Sequence, residues 1–365
     1  MDDRKKRLES LIGNLEQLIY ETNDLINKIG ECDKKLYDAI VSIQEVFDRI
    51  RNVSDDMILK YEKIKSICLS WKNNVEKIEE DYNTTIRAKV GYSAAGTSFG
   101  ISVATLGPWA AMGVATSFGT ASTGTAISLL SGAAAKNAAL AWLGGGAIAA
   151  GGGGMAAGNA FLALAGPVGW GLAAVSLLTG GLFFWKTLSD KHKLEDLFIL
   201  ISLRDSERYR LTIVEMRERI NRMIKETENL YDAIREIKSF GTNYNMMTEK
   251  QQYALGCYLN LMLSSTQLLI NPIMGLQPNV TFDDVRKYIF DHHVSISNFN
   301  CYVKKNIILY LANMLYKIDM DRDTAGLLMK SFRKNEDLQN KMGFIKNDFD
   351  MDIYDFVHSL LEHKS

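Results

Sequence analysis

The chain has 365 residues, a formal net charge of -1 from 42 Lys and Arg against 43 Asp and Glu, and 47% hydrophobic residues. That length predicts two or three structural units, and charges of both signs alternating along helical faces exclude a polyanion-binding surface, hence nucleic acid as a partner. The four cysteines, Cys32, Cys68, Cys257 and Cys301, lie far apart with no CxxC pair and no histidine at metal spacing, so neither a zinc site nor a disulfide framework is expected.

The first segment, residues 1–89, reads as a long amphipathic helical stalk. Apolar residues recur every seven positions at Leu8, Leu15, Ile29, Leu36, Ile43, Ile50, Met57, Ile64, Trp71 and Ile78, with Thr22 filling the gap. A second seam three positions on holds Leu11, Leu18, Leu25, Cys32, Ala39, Val46 and Val53, then frays at Lys60 and Asn74. Ile12, Ile19, Ile26, Ile40, Phe47, Tyr61, Val75 and Tyr82 widen the stripe, which predicts a bundle in place of a two-stranded coiled coil. Unbroken, roughly eighty residues at about 1.5 Å each would make a rod on the order of 120 Å. The candidate breaks are Gly13, Gly30 and the Asn52 to Ser54 region. The opening residues carry basic side chains but no unbroken apolar core and no small-residue cleavage site, so no Sec signal peptide is expected.

Residues 90–185 change character. Across these ninety-six positions Lys136 is the only formally charged side chain, and twenty-one of the 28 glycines fall here. A charge-free run of that length predicts either a membrane-insertion region or a wholly buried core. Gly and Ala contribute little insertion free energy, so each span is marginal alone, but small residues permit close helix packing. Gly146, Ala150, Gly154 and Gly158 place one small residue every four positions on a face, and Gly96 with Gly100 forms another GxxxG. The spans expected are Thr97 to Thr116, interrupted at Gly107 and Pro108, then Ile127 to Ala150 and Ala156 to Leu178. Basic residues at both ends, Arg87 and Lys89 before and Lys186, Lys191 and Lys193 after, predict an even number of crossings. Trp109, Trp142, Trp170 and Trp185 fit interfacial positions equally as well as core ones. The glycine runs lack the GK[ST] ending of a phosphate loop and the strand and acidic residue of a dinucleotide fingerprint, so no nucleotide cofactor is expected.

Residues 186–241 form a second stalk helix, with Ile213, Met216, Ile220, Met223, Thr227, Leu230, Ile234 and Ile237 in three-four alternation until Gly241 offers a stop. Residues 242–365 read as a C-terminal region of short helices: Thr248 to Leu269, Phe282 to Val294 after a Thr281 cap, Val303 to Tyr316, Asp323 to Arg333, and Ile353 to His363. Asp319, Asp321 and Asp323 resemble the start of a calcium loop, but Thr324 replaces its glycine and Lys330 its final glutamate, so a helix cap is the reading. His292 and His293 are adjacent and have no acid and nucleophile set around them, so neither catalytic nor metal-binding residues are assigned and no enzyme is expected.

The order of long amphipathic helix, apolar insert and long amphipathic helix over Leu8 to Phe240 resembles the α-helical pore-forming toxins of the cytolysin A and haemolysin BL type. The insert is about twice the length that one hairpin needs, and the C-terminal helical region extends well past the second stalk, both departures from that plan. The resemblance implies a soluble form that hides a hydrophobic tongue against a helical body, then inserts it into a bilayer on assembling a homo-oligomer or a complex with related helical subunits. The expectation is therefore an all-α, elongated helical bundle with a Gly/Ala-rich insert. It would be made in the cytoplasm and then membrane-associated, a course compatible with non-classical release. The alternatives are a constitutive integral membrane effector, for example in bacterial defence, with cytoplasmic helices, and a soluble helical scaffold.

Overall fold

The computed structural model describes residues 3–89, 110–118, 187–293, 304–334, 339 and 344–364. The protein is an all-α, elongated helical bundle. Its long helices are α1 (Asp3–Phe47), α2 (Asp55–Lys89) and α4 (Leu188–Ile237), with the nine-residue α3 (Ala110–Phe118) from the apolar insert. The chain continues through α5 (Glu249–Ile270), α6 (Phe282–Asp291), α7 (Lys305–Leu315), α8 (Arg322–Lys334) and α9 (Met351–Lys364).

The heptad seam is the inner face of α1. Leu15, Thr22, Ile29, Leu36 and Ile43 are all fully buried, and Thr22 returns its hydroxyl to the Leu18 carbonyl at 2.8 Å, which satisfies its polar group inside the helix. The seam does not run on as one rod. It breaks at 48–54, the last of the three expected positions, where Asn52 adopts a left-handed conformation with φ 60° that asparagine tolerates. Helix α2 then folds back: Tyr61 donates to the Gln44 carbonyl at 2.9 Å, and Trp71 lies 5.3 Å from Tyr37, ring centre to ring centre. Gly13 and Gly30 stay within α1.

Helix α4, 50 residues and so about 75 Å long, runs beside α1 in the same direction. Arg4 pairs with Asp196 at 3.2 Å near one end, Arg217 pairs with Glu21 midway, and past the far end the Arg51 amide donates to the Thr242 carbonyl at 2.8 Å. That last contact ties the α1–α2 turn to the α4–α5 turn, where Gly241 takes φ 83°, the conformation glycine reaches at no steric cost. Helix α5 returns antiparallel along α4. Arg219 Nη1 donates to the carbonyls of Leu268 at 2.8 Å and Asn271 at 3.0 Å, closing the C-terminal end of α5, and Glu215 accepts from the amides of Met274 and Gly275 beyond it.

Among the described residues two hydrophobic cores result. The shaft core joins α1, α2, α4 and α5, while the head core joins Leu8 and Ile12 of α1 and Leu194 to Ile201 of α4 to the helices from α6 onward. The head docks through polar contacts as well: Arg204 Nη1 donates to the carbonyls of Met314 at 2.9 Å and Tyr316 at 2.6 Å, and Asn313 exchanges hydrogen bonds with the Val280 backbone at 2.8 and 2.9 Å. The predicted C-terminal helices are present with ends shifted by no more than three residues. Asp321 caps α8 by accepting from the Thr324 amide at 2.6 Å, the cap role expected of the aspartate cluster.

Candidate functional site

One described piece of the apolar insert, α3, lies inside the shaft. It starts two residues after Pro108, the position at which the insert's first span was expected to break. Its sequence, AAMGVATSF, carries no charge, and it wedges between α1 and α2 while also touching α5. Ala115, Thr116 and Ser117 are buried there, with Met112 partly buried against the shaft core.

Two features adapt the cleft to this helix. At Gly113 the backbone of α3 passes so close to α1 that a Cβ atom would lie 2.0 Å from the Ile26 carbonyl oxygen. Only glycine fits, the close approach that small residues allow between helices. Thr116 then threads a buried hydrogen-bond chain. The Trp71 indole, 1% exposed, donates from Nε1 to Thr116 Oγ1 at 3.2 Å, and that hydroxyl passes its own proton to the Leu269 carbonyl at 3.1 Å. A third link follows where the Ile273 amide donates to the Ser117 carbonyl at 2.9 Å. Together these bonds join α2, α3 and the end of α5.

The cleft also holds polar groups that lack partners. Asp33 of α1 is fully buried, and neither of its carboxyl oxygens has a hydrogen-bond partner; the Ser117 hydroxyl is likewise buried and unpartnered. Such groups forfeit hydration without recovering it. Burial pushes the Asp33 carboxyl well above the usual carboxylate range, against the smaller downward pulls of the Thr116 hydroxyl and the Arg219 guanidinium. Burial also raises the thiol of Cys68, which contacts Thr266 at 3.7 Å and accepts from Gln44 at 3.8 Å on the α2 side of the shaft.

The sequence-derived packing and interface residues Gly96, Gly100, Trp109, Trp142, Gly146, Ala150, Gly154, Gly158, Trp170 and Trp185 lie outside the described residues, as does Lys136. Of the expected span Thr97 to Thr116, the part from Ala110 onward is described, within a helix far shorter than the roughly twenty residues a bilayer requires. Among the described residues no helix is long and apolar enough to cross a membrane, and no cluster of His, Cys, Asp or Glu is arranged to hold a metal ion. Sequence reasoning missed Asp33. The signal was there as an interruption, because Asp33 falls between Ile26 and Ile40 in the seven-residue series Ile12, Ile19, Ile26, Ile40, Phe47.

No protein-family model, no curated protein and no solved structure matches the chain.

Proposed function

We propose that this is a membrane-acting, pore-forming protein that stores part of an apolar insert against its helical shaft and inserts it into a bilayer as copies assemble. The observation that carries this reading is the seating of α3, an uncharged piece of the insert, in a cleft between amphipathic helices. The seat combines specific hydrogen bonds with unpartnered buried polar groups, which suits a contact made to be released. The insert's glycine and alanine content makes solitary insertion marginal, whereas small-residue faces become productive when several copies pack together in lipid. On this reading crossing is assigned to residues 90–185, the helices α1, α2 and α4 act as stalk, and the partners are a lipid bilayer and further copies of this chain or related helical subunits.

The test is dye release from loaded liposomes by protein purified without detergent. Release that disappears on replacing Gly154 and Gly158 by Leu, in a variant that keeps its helical content, is the expected result. A soluble protein that releases no dye would favour a scaffold. A protein that cannot be extracted from cell membranes without detergent would favour a constitutive membrane effector.

A further inference from the structure

Helix α4 carries a second apolar stripe, on the side away from buried Tyr209, Ile213 and Met216. From Leu200 to Val214 six positions are exposed, and four of them are aliphatic: Leu200 at 49%, Leu203 at 41%, Leu211 at 63% and Val214 at 52%. Glu207 and Arg210 are the other two. Steps of three, four, four and three residues hold Leu200, Leu203, Glu207, Leu211 and Val214 within an arc of roughly 80° over about four turns. Single exposed leucines are ordinary, but a continuous aliphatic row on the solvated side of a helix marks a contact surface. Exposed Asp196 and Glu218 close the row four positions beyond each end.

The order of the row points to its partner. Read backwards from Val214 it is unchanged in spacing and in kind, two aliphatic residues, an acid and two aliphatic residues, centred on Glu207. Such a row is complementary to a reversed copy of itself, the requirement of a two-fold, isologous contact. The head selects antiparallel pairing. Its core takes Leu194 to Ile201 of α4 and the shaft core takes Tyr209 onward, so parallel helices would force two heads together at the Leu200 end. Antiparallel helices lay each head beside the other copy's shaft.

We propose that the outer face of α4 is the contact surface of an antiparallel, two-fold dimer of this chain, with Leu203 of each copy against Leu211 of the other and Leu200 against Val214. Glu207 and Arg210, 3.9 Å apart within one helix, come together at the axis as two acids and two bases, a neutral centre. At the ends Asp196 comes opposite Glu218, and Arg4 already meets the Asp196 charge at 3.2 Å. Four half-exposed aliphatic residues per copy make a patch smaller than a standard interface, so the dimer belongs to the weak class. The inference goes beyond pore formation and does not rest on it, since this face lies outside the insert and pairing needs no lipid.

The test is sedimentation equilibrium of the full-length protein without lipid or detergent over about 1 to 200 µM, a range that brackets weak interfaces. The wild type is expected to pass from the 40.9 kDa monomer to twice that mass as concentration rises. Leu203→Glu and Leu211→Lys alter exposed positions and are expected to keep the wild-type helical content. Each is expected to weaken self-association at least about tenfold, because the two-fold axis repeats the lost anchor at two contacts. Mixed in equal amounts, the two variants are expected to dimerise again. The antiparallel register sets the introduced glutamate of one copy against the introduced lysine of the other and leaves the second Leu203–Leu211 contact intact. A wild type still monomeric at about 200 µM would overturn the dimer and leave the face to a lipid bilayer. A dimer that neither substitution weakens would overturn the surface, and loss in both variants without recovery on mixing would overturn the antiparallel arrangement. Because no membrane is present, failure of dye release leaves the dimer standing, and a monomeric wild type leaves the pore-forming reading standing.

Discussion

At Gly113 the constraint is backbone against backbone. A methyl group there would meet the Ile26 carbonyl at 2.0 Å, and since a main-chain atom cannot swing aside as a side chain can, α3 itself has to move. Gly113→Ala is expected to weaken seating of α3 by about 1–3 kcal/mol, the usual cost of overpacking, seen as faster exchange of 110–118 with α1 and α4 amides unchanged. Thr116 works through hydrogen bonding. Thr116→Val keeps the volume but strands the Trp71 indole and the Leu269 carbonyl, so a loss of about 1–3 kcal/mol is expected in denaturant titration. Were the valine variant as stable as the wild type, the hydrogen-bond chain would contribute nothing to the seat.

Helix ends are set by local chemistry. Thr187, Thr248 and Thr281 each open a helix with a capping box, their hydroxyls accepting from Asp190, Gln251 and Asp284 while those side chains accept from the threonine amides. Thr281→Ala is expected to cost about 1 kcal/mol, measurable as a lower denaturant midpoint at unchanged slope. The Thr281 cap was readable in advance, because it lies three residues before its partner and just ahead of a periodic apolar run. Asp284 has a further partner, pairing with Lys364 at 2.6 Å, that no local pattern announces. Burial alone would raise its carboxyl, but bonds from Lys364 and Thr281 win and hold it below the ordinary range. The α6–α9 contact therefore contributes stability above that range and loses it as pH falls through the depressed value.

Across the whole molecule, α1 and α4 run through both cores without interruption, with Leu8 and Leu194 in the head and Ile43 and Leu230 in the shaft. Continuous helices transmit the loss of one core to the other. Ile43→Ala in the shaft and Leu328→Ala in the head, both fully buried, are each expected to lower stability by about 2–5 kcal/mol. Each is also expected to shift a single common transition, followed by circular dichroism and by tryptophan fluorescence. Two separated transitions in either variant would show that the cores fold apart. The insert departs after Lys89 from the end of α2, which packs on α3 and α5, and returns before Thr187 to the start of α4, which packs along α1.

The sequence by itself determined where helices lie and which face of each turns inward, since helix formation and amphipathic stripes are local properties with a period of 3.6 residues. Leu15, Ile29, Leu36, Ile43, Ile64 and Trp71 were identifiable as core on that ground, and all are buried. Only the tertiary structure decided what covers the stripes. The turn at 48–54 folds α2 back, α4 runs parallel to α1, and α3 takes the wide face of the stripe that suggested a bundle in place of a coiled coil. It also decided that Asp33, an ordinary charged residue by composition, is fully buried in the shaft. The reason is physical: burial and titration depend on which distant residues exclude water from a group, and no local periodicity encodes that.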